Sequence, residues 1–427
     1  MSRAAASILR GMRVRGALPG SAANATQGTD LRLMRESNRM LVLNCIREQG
    51  TLPRAEAARR TGLSRTTVGH IIDELIADGF LREGDSQRAP ESAGRRVIPV
   101  HFNASAGYVL GVSLGRSHLT LLVSDLAAHV IDRKDVPFAI TAGPEYCLSQ
   151  IVVALRAFVA DHGIHWDDLI GVGIGMAGAM NAELTGFASR HSLPEWDGVD
   201  VQGILKDALN MPVYLENNAN LGALGEMSYG AGRGVPDLLY VKAGMRIGSG
   251  LVINSEIYRG SSGTAGEIGH MTVLRDGPLC DCGNHGCLKT LASVPAILAA
   301  AQRERLSALG DFNALIAAAQ AGDEASGQAL TQAGEWIGIA LASLVNVLNP
   351  ALIVLDGQTM RAGNLIIEPI RQSIAAHSLA GPLALTRIVP SALSGRAIAL
   401  GGVALVLASA FDSGFILRSA GETAGSA

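Results

Sequence analysis

The 427-residue chain is 48% hydrophobic and only 4% aromatic, with a net charge of −3, a composition that excludes a disordered polyelectrolyte and suits two or three aliphatic-cored domains. It has no run of eighteen apolar residues, so no membrane partner is expected; five cysteines without a secretory leader fit a reduced, cytoplasmic protein. The charge is uneven: residues 1–100 carry 16 Arg, no Lys and 10 acids, leaving a head of +6 on a body of −9, as for a head that meets a polyanion.

Residues 1–30 are mostly Ala, Gly, Ser and Arg and read as a disordered basic arm. Residues 31–105 read as a winged helix-turn-helix. From Glu36 the spacing of Met40, Leu41, Leu43 and Ile46 puts an apolar stripe on one helix face, and Gly50 ends it. Thr51-Leu52-Pro53 offers a turn, and Arg54–Arg60 a short second helix whose Ala55, Ala57 and Ala58 permit close approach. After the turn at Gly62, Ser64 is a good N-cap for a third helix that buries Val68, Ile71, Ile72 and Leu75 and stops at Asp78-Gly79. Its polar N-terminal end presents Ser64, Arg65, Thr66, Thr67 and His70, residue types that read base edges and phosphates of duplex DNA from a major groove. Arg54 is counted with them. Phe80–Glu83 and Arg96–Val100 read as wing strands whose tip delivers Arg95 and Arg96 to backbone or minor groove. The expected partner is double-stranded operator DNA.

At Tyr108 the texture changes to apolar strands separated by glycines, with a helix over Glu145–Asp161 and a strand over Leu169–Ile174. Gly171-Val-Gly-Ile-Gly175-Met-Ala-Gly178 follows as a glycine run that close packing explains as well as ligand contact does. Glu216-Asn217-Asn218 comes next, then Val241–Leu251 with Gly244, Arg246 and Gly248. Three of the five cysteines, Cys280, Cys282 and Cys287, fall within eight residues, with His270 upstream and His285 among them. Thiolates and imidazole are the ligands of structural zinc, and either His270 or His285 supplies the fourth. A helix over Glu335–Leu348, a strand over Ala351–Leu355, Asp356-Gly357 and a last helix over Ala397–Ala410 close the domain before a polar tail, 412–427.

Gly266-Glu-Ile-Gly-His270 followed by Cys-x-Cys-x4-Cys resembles the ROK family of sugar kinases and sugar-responsive regulators. The resemblance implies an α/β chain, a winged helix-turn-helix followed by a two-lobed actin-like ATPase domain over 106–411. It places zinc on His270, Cys280, Cys282 and Cys287. It assigns Asn217, Asn218, Glu267, His270 and Lys289 to the positions that hold sugar hydroxyls. Family kinases carry Asp in the first turn, where this chain has Ser113 and an unexpected Arg116; a general-base Asp where it has Asn218; glycine where it has Arg246; and Glu where it has Lys289. An amide cannot serve as the base. The implied protein is therefore a dimeric or dimer-of-dimers DNA-binding regulator, not an enzyme, that senses a sugar or sugar phosphate. A sugar kinase with an appended head and an effector-independent regulator are the alternatives. Lys289 is expected either to meet an anionic ligand or to pair with Glu267.

Overall fold

The computed structural model describes residues 27–85, 87–88, 96–188, 193–303 and 310–412. Most of the expected basic arm, of the polar tail and of the wing tip lies outside them, as does Arg95. Helix α1 already runs from Gln27 to Gln49, so the boundary expected at residue 31 falls inside a helix.

In the head, α1 buries Val42, Leu43 and Ile46 against helices α2 (Arg54–Thr61) and α3 (Arg65–Ala77). Ala57 and Ala58 sit buried at the contact, and Gly62 ends α2 at φ 73°, a left-handed turn that glycine reaches without steric cost. Ser64 caps α3, accepting from the Thr67 amide at 3.1 Å. Thr51–Pro53, expected as a turn, is strand β1, because Leu52 alternates inward to the core and pairs with Val100. It joins β2 (Leu81–Glu83) in a three-stranded sheet ordered β1-β5-β2. The expected second wing strand is divided: β3 (Gln87–Arg88) pairs with β4 (Arg96–Val97), whereas β5 (Pro99–Phe102) joins the main sheet.

The body has two lobes. The first sheet, ordered β10-β9-β6-β7-β8, begins with the antiparallel meander β6 (Tyr108–Leu114), β7 (His118–Asp125) and β8 (Val130–Pro137). After helix α4 (Pro144–Ala160), strand β9 (Leu169–Met176) pairs parallel to β6; β10 (Val213–Asn217), entered through helix α5 (Val201–Leu209), extends the sheet. From β10 the chain turns directly into α6 (Asn218–Tyr229). The second sheet is ordered β13-β12-β11-β14-β15, formed by β11 (Leu238–Ala243), β12 (Ile247–Ile253), β13 (Glu256–Ile257), β14 (Leu352–Asp356) and β15 (Arg387–Pro390). Helices α7 (Leu288–Ala292), α8 (Val294–Arg303), α9 (Phe312–Gln320), α10 (Glu324–Leu348), α11 (Asn364–His377) and α12 (Ala380–Leu385) follow in this lobe, and all but α12 contribute residues to a core beside the sheet. The expected helix at Glu335 starts three turns earlier, where Asp323 caps it.

Two helices join the lobes. The last, α13 (Ala397–Asp412), lies on the first sheet and α6 on the second, each buried on nearly every side. They pack backbone to backbone: a Cβ at Gly401 would fall 1.8 Å from the Leu221 carbonyl oxygen. The C-terminal end of α13 reaches the head. There Phe411 meets Phe102 edge-on at 6.3 Å, the Arg47 guanidinium stacks 4.0 Å over its ring, and Asn44 Nδ2 donates to its carbonyl at 3.3 Å.

Candidate functional site

Between the lobes lies a cleft of about 710 Å³. From the first lobe it is lined by Ser113, Arg116, Asn217 and Asn218, and from the second by Lys242, Arg246, Glu267, His270, Lys289 and Asp356. All five candidate ligand residues thus reach one cavity.

Asn217 caps α6, its Oδ1 accepting from the Ala219 amide at 2.7 Å while Nδ2 donates to the Gly178 carbonyl at 2.7 Å. Asn218 is buried and donates through Nδ2 to the Leu114 carbonyl at 3.1 Å; its Oδ1 is left without a partner. The glycine run beside it is explained by packing. A Cβ at Gly173 would stand 2.2 Å from the Gly402 carbonyl oxygen, and one at Gly175 would stand 2.3 Å from Asn218 Oδ1. Burial holds the Glu267 carboxyl above the usual carboxylate range, opposed by Arg246 and Lys289.

Lys289 does not pair with Glu267. Its ammonium bonds Asp281, which follows Cys280 in the loop, and that ion pair holds the Asp281 carboxyl below its ordinary range. Sequence reasoning also missed Lys242, the one charge in the apolar strand Leu238–Ala243. A lone lysine amid Leu-Leu-Tyr-Val was the available signal, since such a residue is seldom buried without a purpose.

His270, Cys280, Cys282 and Cys287 converge, with their ligand atoms all within 4.8 Å of one another. Cys280 Sγ lies 3.6 Å from His270 Nδ1, and Cys282 Sγ lies 3.6 Å from Cys287 Sγ, close to the edges of a tetrahedron around zinc. His285 is turned away, its Nδ1 3.1 Å from the Gly277 carbonyl oxygen. Burial, then Lys289, lowers the His270 pKa, which favours the neutral, ligating imidazole. The Cys287 thiol is pushed up to about 12 by burial and by its neighbouring thiols, so it would give up its proton only to a bound cation. At Gly286 a Cβ would fall 1.5 Å from the Leu274 carbonyl oxygen, so the loop closes only around glycine. The donor set fits a structural zinc held by these four residues.

On the head, Arg65, Thr66, Thr67 and His70 are exposed along α3. Ser64 and Thr67 also bond each other at 2.8 Å between hydroxyl oxygens. Arg54 is engaged elsewhere: it donates to the Gly69 carbonyl at 3.1 Å and to the Asp73 and Glu83 carboxylates at 2.7 Å. Its guanidinium ties α2 to α3 and the wing.

A winged helix-turn-helix head on a two-lobed, actin-like sugar-kinase fold is the class of protein defined here. The profile of the ROK family matches residues 109–409, and a winged helix-turn-helix DNA-binding profile matches residues 35–82. The chain belongs to the ROK family. It is 29% identical over 387 residues to the xylose repressor of Caldicellulosiruptor bescii, covering 88% of this chain and 96% of that one. A crystal structure of a ROK family transcriptional regulator, a homologue of the E. coli MLC protein, superposes with TM-score 0.74 at 24% identity, over 91% of this chain and 99% of that one. A ROK glucokinase from Streptomyces griseus, solved with glucose and AMPPNP, matches with TM-score 0.62 at 28% identity, over 70% of this chain and 99% of its own. Similarity to the named repressor extends over 88% of this chain, whereas the glucokinase matches 70% of it; the chain stands with the family's regulators.

Proposed function

We propose that the protein is a cytoplasmic transcriptional repressor that binds duplex operator DNA through α3 and the wing, and whose cleft receives a sugar-derived effector without phosphorylating it. One observation carries the coupling: α13 spans from Ile398, which lines the cleft, to Phe411, held between Arg47 and Phe102 of the head. Thirteen residues of helix make a rod of about 20 Å, so an effector that favours one lobe arrangement biases where the head stands. A homodimer or dimer of dimers presents two heads to a two-fold operator. One zinc per chain, on His270, Cys280, Cys282 and Cys287, stiffens the cleft wall.

Selection of bound duplexes from a random library by the full chain tests this reading. Arg65→Ala is expected to weaken the selected site by about 1–3 kcal/mol and relax preference at one base pair, measured by fluorescence anisotropy. Arg96→Ala is expected to weaken all duplexes alike and flatten the salt dependence. If the full chain enriches no duplex, the repressor reading fails.

A further inference from the structure

Arg116 stands in the β6–β7 turn of the first lobe and Arg246 in the β11–β12 turn of the second, and both half-buried side chains line the cleft. Among the described residues no carboxylate lies within salt-bridge distance of either guanidinium. Lys242, on the strand that leads into the Arg246 turn, also lines the cleft and has no ion pair within salt-bridge distance among the described residues. The neighbouring acids are committed: Asp281 holds Lys289, and Asp356 accepts from the Tyr240 hydroxyl at 2.6 Å and from the Gly357 amide at 2.7 Å. Acids reach these cations only at longer range, Asp281 and then Glu267 toward Arg246, and Asp356 toward Lys242. The two arginines repel one another: burial first, and Arg116 second, lower the Arg246 pKa.

Half-buried cations that lack a direct ion pair call for an anion, and the planar guanidinium fork matches phosphate oxygens two at a time. We propose that Arg116 and Arg246, one from each lobe, form a magnesium-independent clamp for the phosphate group of a phosphorylated small molecule, with Lys242 behind it. The phosphate replaces like-charge repulsion across the cleft by attraction and draws the lobes together. Its uncharged portion then extends toward Asn218 and Glu267, where an acid would repel phosphate but accepts hydroxyls. This positive charge comes from Arg116 and Arg246, not from Lys289, which Asp281 neutralises. The inference rests on the cleft being the effector site.

Calorimetry on the full chain without magnesium, using glucose, glucose 6-phosphate, AMP and inorganic phosphate, tests the clamp. Glucose 6-phosphate is expected to bind at least about tenfold more tightly than glucose, the lower bound for hydrogen bonds to charged groups. Arg116→Gln and Arg246→Gln should each lose about tenfold to a hundredfold in phosphate-ester affinity. Both should also raise the unliganded unfolding midpoint, because the repulsion is relieved, and this readout shows that they fold. Preference for AMP or inorganic phosphate over glucose 6-phosphate would support the clamp while identifying a different bearer of the phosphate. Glucose binding as tightly as its 6-phosphate, no anion bound at all, or phosphate affinity unchanged in the double variant would overturn it. Duplex binding measured in parallel separates the two readings: DNA bound without any anion sinks the clamp alone, and an anion bound without selected DNA sinks the repressor.

Discussion

Cys287→Ser is expected to release the zinc and loosen the whole second-lobe wall of the cleft. The side chain is fully buried, and its residue both caps α7 and pairs with Thr272 across the loop. The consequences reach further because the loop is stitched to the site: the Leu288 amide donates to Met271 at 2.9 Å, and the Val294 amide donates to Gly244 at 2.8 Å, two residues before Arg246. A Cβ at Gly269, one residue before the ligand His270, would fall 2.2 Å from the Ile247 carbonyl oxygen. A metal held by this cluster would therefore fix both Glu267 and the turn that carries Arg246. Loss of a closed metal site is among the few mechanisms that cost about 4 kcal/mol or more, a fall in unfolding midpoint of about 8 °C or more. Metal analysis of protein purified without added zinc, together with calorimetric unfolding, checks it. His285→Ala should keep its zinc, since that ring bonds Gly277. Wild-type protein lacking zinc, or a serine variant with an unchanged midpoint, would refute the assignment.

Legibility followed the range of the interactions. The three cysteines of the metal-ligand cluster were readable because chemistry and spacing coincide within one segment, whereas the choice of His270 over His285 came from the family resemblance; α3 was readable because Ser64 and the stripe Val68, Ile71, Ile72 and Leu75 are local signals. What escaped depends on contacts distant in sequence. Thr51–Pro53 becomes a strand only because residues 99–101 lie alongside it. Arg54 is counted among the DNA-facing residues by sequence, but Asp73 and Glu83, 19 and 29 residues away, take its guanidinium. The start of α10 was hidden because Gly327 and Gly334 break the apolar period; Gly334 is small to admit Pro369 and Ile366 of α11. The pairing of Lys289 with Asp281 rather than Glu267 depends on how the metal loop turns, which no periodicity encodes.

Restoring the missing general base by Asn218→Asp is expected to leave the chain without sugar kinase activity and to weaken its fold. In place of the amide that donates to the Leu114 carbonyl at 3.1 Å, the new side chain can donate only while it is protonated; once ionised, a carboxylate would face that oxygen with nothing to donate. Ser113 still stands where kinases of the family carry an acid, and Arg246 where they carry glycine, so sugar-dependent ATP hydrolysis should remain at least about 10²-fold below an ordinary kinase. The site is buried, with Asn218 only 4% exposed, so the new carboxyl keeps its proton and its folded-state pKa rises above the unfolded value of about 3.9. An acid raised in this way is undisturbed below the unfolded pKa and costs stability as the pH climbs from there to the folded pKa, beyond which the cost is constant. The deficit of the variant against wild type should thus be smaller at pH 4 than at pH 8, where losing the donor and burying the charge costs about 1–3 kcal/mol. Urea unfolding of both proteins at the two pH values measures it. A deficit equal at both, or larger at pH 4, would mean that water or a partner reaches position 218; turnover near that of a kinase would mean that the altered phosphate loops still work.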